Sequence, residues 1–167
     1  MANEVYTRTN QALFFARRAI DAWAEAANSG AIDASSQTQY HREHAIFHLY
    51  RGVLAVVHEV ADRYRWPLVE LRQVEAALSP AVVARFPGPE LAELTEMADS
   101  RDTWLAKLIA AWQQLQAPPV PEASAPAETL IASTAVKRAE WSLEDANEAC
   151  IALNERVRSY REGMLEW

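Results

Sequence analysis

The sequence predicts an all-α protein, a helical bundle of four main helices with a shorter helical crossover segment and a Pro/Ala-rich connector before the last helix. Half of its 167 residues are apolar, only four are glycine, and alanine, leucine, glutamate and arginine dominate, a composition that favours helix. Apolar residues recur at three- and four-residue steps through segments of twenty residues and more, the spacing of one buried helix face. Proline and glycine punctuate those segments at Ser29-Gly30, Trp66-Pro67, Ser79-Pro80 and Phe86-Pro87-Gly88-Pro89, where helices must stop. Residues 1–167 read as a single helical domain, long enough to bury about 70% of the surface its unfolded chain exposes.

The first helix is expected from Asn3 or Thr7 to Asn28, with Leu13, Ala16, Ile20, Trp23 and Ala27 as its seam. Its opening, Tyr6-Thr7-Arg8-Thr9-Asn10, carries more hydrogen-bonding side chains than a helix start needs. Those side chains serve N-capping and solvent contact, or they form a polar cluster that docks on the histidine-rich stripe of the second helix. That second helix is the organising element. Ser36 and Gln39 fit a capping box, and no proline follows until Pro67, which predicts a rod of about 43 Å. Ile46, Leu49, Tyr50, Val53, Val56, Val57, Val60 and Ala61 form its core face. Stepping 100° per residue places His41, His44, His48, Arg51, His58 and Glu59 on the opposite side, and all four histidines of the chain lie in this stretch.

Beyond Pro67 a helix is expected from Leu68 to Leu78, then a small irregular segment bracketed by Ser79-Pro80 and Phe86–Pro89, and a short helix from Glu90 to Ala98. Asp99-Ser100 offers a capping position for a helix reaching about Gln116, with Trp104, Leu108, Ala111, Trp112 and Leu115 inward. Residues 117–127 (APPVPEASAPA) hold four prolines and read as an extended, mobile connector. Thr129 to Val136 is ambiguous between strand and helix. Ser142 and Asp145 form a second capping box, followed by Leu143, Ala146, Cys150, Leu153, Val157, Tyr160 and Met164 at heptad spacing.

The net charge of −7 and pI near 5.1 oppose a nucleic-acid partner, because such binders present a basic stripe and Arg17-Arg18 is the densest basic pair. No run of eighteen apolar residues marks a membrane span, MANEVYTRTN resembles no secretory leader, and a lone cysteine, Cys150, cannot close an internal disulfide. The expectation is a cytoplasmic protein with no membrane contact.

Two constellations in the second helix could carry chemistry. His44 and His48 are four apart and His41 and His44 three apart, so either pair could present two imidazoles to one metal ion. His58 lies about 21 Å further along the rod and cannot join them. A hydrolase-like site would draw a third ligand from another helix, such as Asp21, Asp102, Glu144 or Glu148, and the HExxH pattern is absent. The second constellation is Arg51 with His58, which resembles the Arg-x(4–6)-His motif of the HEPN ribonuclease superfamily, helical bundles that place such a pair at a dimer interface. That resemblance implies that Arg51 and His58 would position a phosphate and protonate a leaving oxygen. The residue after the arginine, typically polar in that family, is Gly52 here, while Arg42 and His48, with Glu43 following, lie about 120° apart on the wheel.

Cys150 sits at a seam position as a small buried hydrophobe. Of six tryptophans, Trp66, Trp141 and Trp167 could anchor a partner. No phosphate loop or nucleophile elbow occurs. The reading is a non-enzymatic protein-interaction or self-association module, with a protein partner or homo-oligomer and no cofactor.

At ANEVYTRTNQ (Ala2–Gln11), FHLYRG (Phe47–Gly52) and SYREGMLEW (Ser159–Trp167) the chain resembles a family of small, uncharacterised helical proteins from pseudomonads and their relatives, a domain of unknown function. The likeness spans the full length. It implies a soluble bacterial cytoplasmic protein with no catalytic residues to carry over.

Overall fold

The computed structural model describes residues 3–118 and 140–165. Among them the secondary structure is entirely helical: α1 (Asn3–Asn28), α2 (Ala34–Tyr64), α3 (Val74–Ala77), α4 (Pro80–Arg85), α5 (Pro89–Asp99), α6 (Trp104–Gln116) and α7 (Leu143–Leu165). Positions 119–127 of the connector, the ambiguous stretch Thr129 to Val136 and Trp167 lie outside the described residues.

α1 and α2 form an antiparallel hairpin. Gly30 takes the left-handed conformation (φ 63°) at the turn, which a side chain would disfavour. The Ala34 amide then donates to the Ala31 carbonyl. Helical geometry therefore resumes at Ala34, two residues before the expected start, and the Ser36–Gln39 capping box does not form. Asp33 is the N-cap residue and makes no side-chain cap bond; Gln39 donates instead to Glu43 Oε1 at 3.0 Å, inside the helix. The two helices approach closely because small residues line their seam, with Ala12, Ala16, Ala19, Ala45, Gly52 and Ala55 all buried.

Every expected core position of α2 is buried, and α7 packs on α2 alongside α1 and α6. The opposite side departs from expectation in the second half of the rod: all ten residues from Gly52 to Ala61 are buried, His58 and Glu59 among them. The cover over His58 is the chain just past α2. Arg65 ends the helix in the left-handed region (φ 58°), the Trp66 amide returns to the Ala61 carbonyl, and His58 Nε2 donates to the Leu71 carbonyl at 2.9 Å. Glu59 is covered by α1 and α7, described below.

This return segment also displaces the helix expected over Leu68 to Leu78. Residues 68–73 are not helical, with a turn at 69–70, and α3 begins only at Val74, whose amide donates to the hydroxyl of Tyr50 at 2.9 Å. Tyr50 in turn donates to Glu75 (2.5 Å) and stacks on Trp112 with ring centroids 4.3 Å apart. The segment expected to be irregular is α4, started by Pro80 at its first position. At the 86–89 turn, a Cβ on Gly88 would stand 2.6 Å from the Trp66 ring, so only glycine lets the chain pass that indole.

The N-cap of α6 is Thr103, which accepts from the Ala106 amide at 3.2 Å; Asp99 remains helical and Ser100 closes α5. Trp104, Leu105, Leu108 and Ala111 are buried, while Trp112 and Leu115 are half-buried. The Ser142–Asp145 box forms as expected, with the Asp145 amide donating to Ser142 Oγ and the Ser142 amide to Asp145 Oδ2. All seam positions of α7 are buried except the half-buried Leu143. Trp141, expected as a possible partner anchor, is an interior residue beside Trp23 (centroids 5.9 Å). Trp66 is half-buried between Tyr64 and Phe86, and Ala27, assigned to the α1 seam, is exposed while Ala26 beside it is buried.

Gly52 is the point where three helices meet: a Cβ there would lie 3.1 Å from Leu153 Cδ2 of α7 and 3.7 Å from Ala12 Cβ of α1. Gly52→Ala should be near neutral, since about 1 kcal/mol of helix propensity offsets the small shift asked of a side-chain end. Gly52→Leu should cost about 2–3 kcal/mol through overpacking, measured by urea unfolding; equal stability for both variants would contradict this packing.

Candidate functional site

Two arrangements of polar side chains stand out, one closed and one open. The closed one is built on Glu59, whose residue is 5% exposed. Arg161 of α7 donates to it twice, Nε to Oε1 at 2.5 Å and Nη2 to Oε2 at 3.1 Å, in the two-pronged geometry that suits guanidinium and carboxylate. Thr9 Oγ1 of α1 adds a donor to Oε2 at 2.7 Å. The remaining arm of Arg161 donates to Asn10 Oδ1 at 2.9 Å, and its guanidinium lies 4.9 Å from the ring centre of Tyr6. The polar opening of α1 thus docks on α2, the second of the two readings the sequence left open. Glu59 has its partners in place on three helices, so its chemistry is to bolt α1, α2 and α7 together.

The open arrangement lies on the outer face of the α1–α2 hairpin. Phe15 of α1 meets the His48 ring edge-on at 5.2 Å, and Phe47 does so from the other side at 5.1 Å. Phe14 continues the strip on α1, with Arg18 5.7 Å over its ring. Tyr40 packs edge-on against His44 at 4.2 Å and His41 at 5.1 Å, and Trp112 borders Phe47 at 6.1 Å. Phe14 (57%), Tyr40 (56%) and Phe47 (43%) are the exposed aromatics of this strip. Arg18 and Arg51 make no ion pair with a carboxylate among the described residues. Burial first, then the charges of His44 and Arg51, hold the His48 imidazole below its usual range.

The candidate metal ligands divide as follows. His44 and His48 are neighbours, with ring centroids 6.2 Å apart, and His41 is one turn before them. None of the carboxylates considered reaches them. Asp21 pairs with Arg17, Glu148 lies 3.9 Å from Lys107, and Asp102 and Glu144 are exposed. Among the described residues, no group of three His, Cys, Asp or Glu side chains is placed to hold a metal ion. Of the Arg51–His58 pair, Arg51 acts on His48, while His58 is 2% exposed and its charged neighbours include Arg8 and Arg72. Burial depresses the His58 imidazole more than the bond to Leu71 raises it. Cys150 is buried and its thiol is pushed up by that burial, the opposite of an activated nucleophile.

Phe14, Phe15, Arg18 and Tyr40 were missing from the sequence-based candidates. The signal was present: Phe14 and Arg18 fall outside the Leu13–Ala16–Ile20–Trp23 seam by the same 100° stepping that placed the histidines.

Two predictions follow from these environments. Arg161→Met takes the guanidinium from the buried Glu59 carboxyl and should cost about 3 kcal/mol; adding Glu59→Leu should recover most of that loss in urea titration. The depressed imidazoles of His48 and His58 mean the unfolded chain takes protons more readily, so the stability they contribute is full above the ordinary histidine pKa and is lost as pH falls through about 6.5. Melting temperature should therefore drop from pH 7.5 to 5.5, and the drop should be smaller in His48→Gln/His58→Gln; an unchanged slope in the double variant would contradict the buried neutral rings.

A family model described as a family of unknown function (DUF6586) matches residues 1–167. No curated protein and no solved structure matches the chain. The chain therefore belongs, over its whole length, to the DUF6586 family of unknown function.

Proposed function

We propose that the protein is a non-enzymatic protein-interaction module of the bacterial cytoplasm, a bundle of four main helices that uses the outer face of the α1–α2 hairpin as its contact surface. The observation that carries this reading is the continuous strip Phe14–Phe15–His48–Phe47–Trp112, three of whose rings and neighbours stand substantially exposed. Exposed aromatics clustered with arginine are the composition of interface hot spots. Singly exposed apolar side chains need no explanation, but a contiguous group does.

Several features support a contact role over catalysis. The buried Glu59–Arg161 pair is saturated by its own partners, the histidines of the open face lack a converging acid among the described residues, and the lone thiol is interior. None of these places a nucleophile, a base and an anion-stabilising group around one space. The reducing compartment fits a protein whose single cysteine is unpaired. No described helix is long and apolar enough to cross a membrane.

The test is capture from extracts of the source cells with immobilised protein. Wild type and Ile151→Ser, a change at an exposed position on α7, should retain the same proteins, and Phe14→Ser/Phe47→Ser should lose them while keeping the wild-type circular dichroism and melting temperature. Identical retention by all three would contradict the assignment of this face.

A further inference from the structure

We propose that the α1–α2 face takes an acidic polypeptide segment carrying interleaved apolar side chains, and that it does not pair with a second copy of itself. The inference rests on the reading of that face as a contact surface and adds the chemistry of its partner. Its basis is a pair of guanidiniums without carboxylate partners on a face whose nearby carboxylate, Glu43, is held by Gln39. The chain carries a net charge of −7, yet the described residues of this face present Arg18 and Arg51 without a carboxylate partner, together with His41 and His44, around the rings of Phe14, Tyr40 and Phe47. Five other arginines have carboxylate partners, Arg17 with Asp21, Arg42 with Glu140, Arg72 with Glu70, Arg156 with Glu93 and Arg161 with Glu59; Arg8, Arg65, Arg85, Arg101 and Arg158 make no ion pair among the described residues but are not grouped with a strip of exposed rings.

An unmatched guanidinium beside an aromatic ring is poised for a carboxylate, which it binds through two parallel hydrogen bonds. The rings supply apolar contact that excludes water around such a pair and strengthens it. A two-fold pairing of two copies through this face would set arginine and imidazole against their own counterparts, since a two-fold axis brings the same patch to itself. Like charges at an interface suppress the complex. Nucleic acid is disfavoured because two arginines neutralise few phosphates and the remaining field is negative, and an anionic membrane gains only about 1 kcal/mol for each basic side chain near its surface.

The experiment uses the full chain labelled with nitrogen-15 and follows amide and imidazole resonances at neutral pH. Four probes are added separately: a peptide of repeated Glu-Phe-Glu-Ser units, its Lys-Phe-Lys-Ser counterpart, oligouridylate, and phosphatidylglycerol vesicles. The proposal expects the acidic peptide alone to shift Phe14, Arg18, Tyr40, His44, Phe47, His48 and Arg51. Arg18→Glu/Arg51→Glu should weaken that binding by about tenfold, and raising salt from ~50 to ~300 mM should weaken it further. Arg18→Gln/Arg51→Gln, which removes the charge without reversing it, should fall between the wild type and the reversed pair and guards against a folding artefact.

Equal or larger shifts from the lysine peptide at the same residues would overturn the acidic partner while leaving the face a contact surface. Tighter binding of oligouridylate or vesicles, shifts that depend on the protein's own concentration, or no response to the acidic peptide would each overturn the proposal. Capture from extract decides the reading of the face independently of all these outcomes.

Discussion

The buried carboxylate of Glu59 is the constraint on which the arrangement of the long helices depends. A lone carboxylate inside a helix packing would cost several kcal/mol, so its position requires that Thr9 of α1 and Arg161 of α7 arrive together. That requirement sets the depth at which α1 lies on α2 and the register of α7 across both. A few residues earlier on α2, Gly52 permits the close approach that the clamp demands, with Ala12 and Leu153 on either side. A side chain the size of leucine there would overpack the point where the three helices meet.

With α1, α6 and α7 committed to the core side of α2, and the chain after Arg65 folded back over His58, one region of the hairpin stays open among the described residues. It runs from Tyr40 to Arg51 on α2 and includes Phe14, Phe15 and Arg18 on α1. The histidine-rich side of α2 is therefore two environments. His58 is a structural donor that holds the return segment. His44 and His48 belong to an aromatic and cationic surface on an otherwise acidic protein.

What was legible in the sequence was local or periodic. The Ser142–Asp145 box forms because both partners lie within one turn and nothing competes for them, and the core face of α2 follows from spacing alone. The same S-x-x-Q pattern at Ser36 failed because the turn at Gly30 lets the helix begin earlier, which no cap residue reports. Burial of Glu59 was hidden because its partners are 50 and 102 residues away in the chain. The helix expected over Leu68 to Leu78 was likewise lost to tertiary contacts: His58 takes the Leu71 carbonyl and Tyr50 takes the Val74 amide, so the chain is spent on α2 before it can wind. The aromatic face spans two helices, Phe14 and Phe15 on α1 and Tyr40 and Phe47 on α2, and the spacing within either helix does not report that the two groups meet.

The account stands or falls on whether that face is covered in the cell. Hydroxyl-radical footprinting, performed in living cells and on the purified protein, reports side-chain exposure at Phe14, Tyr40, Phe47 and Ile151 in one experiment. The expected result is strong labelling of all four in the purified protein and, in cells, loss of labelling at Phe14, Tyr40 and Phe47 with Ile151 unchanged. Equal labelling of the three aromatics in both settings would show a surface that meets nothing, and the interaction reading would fail.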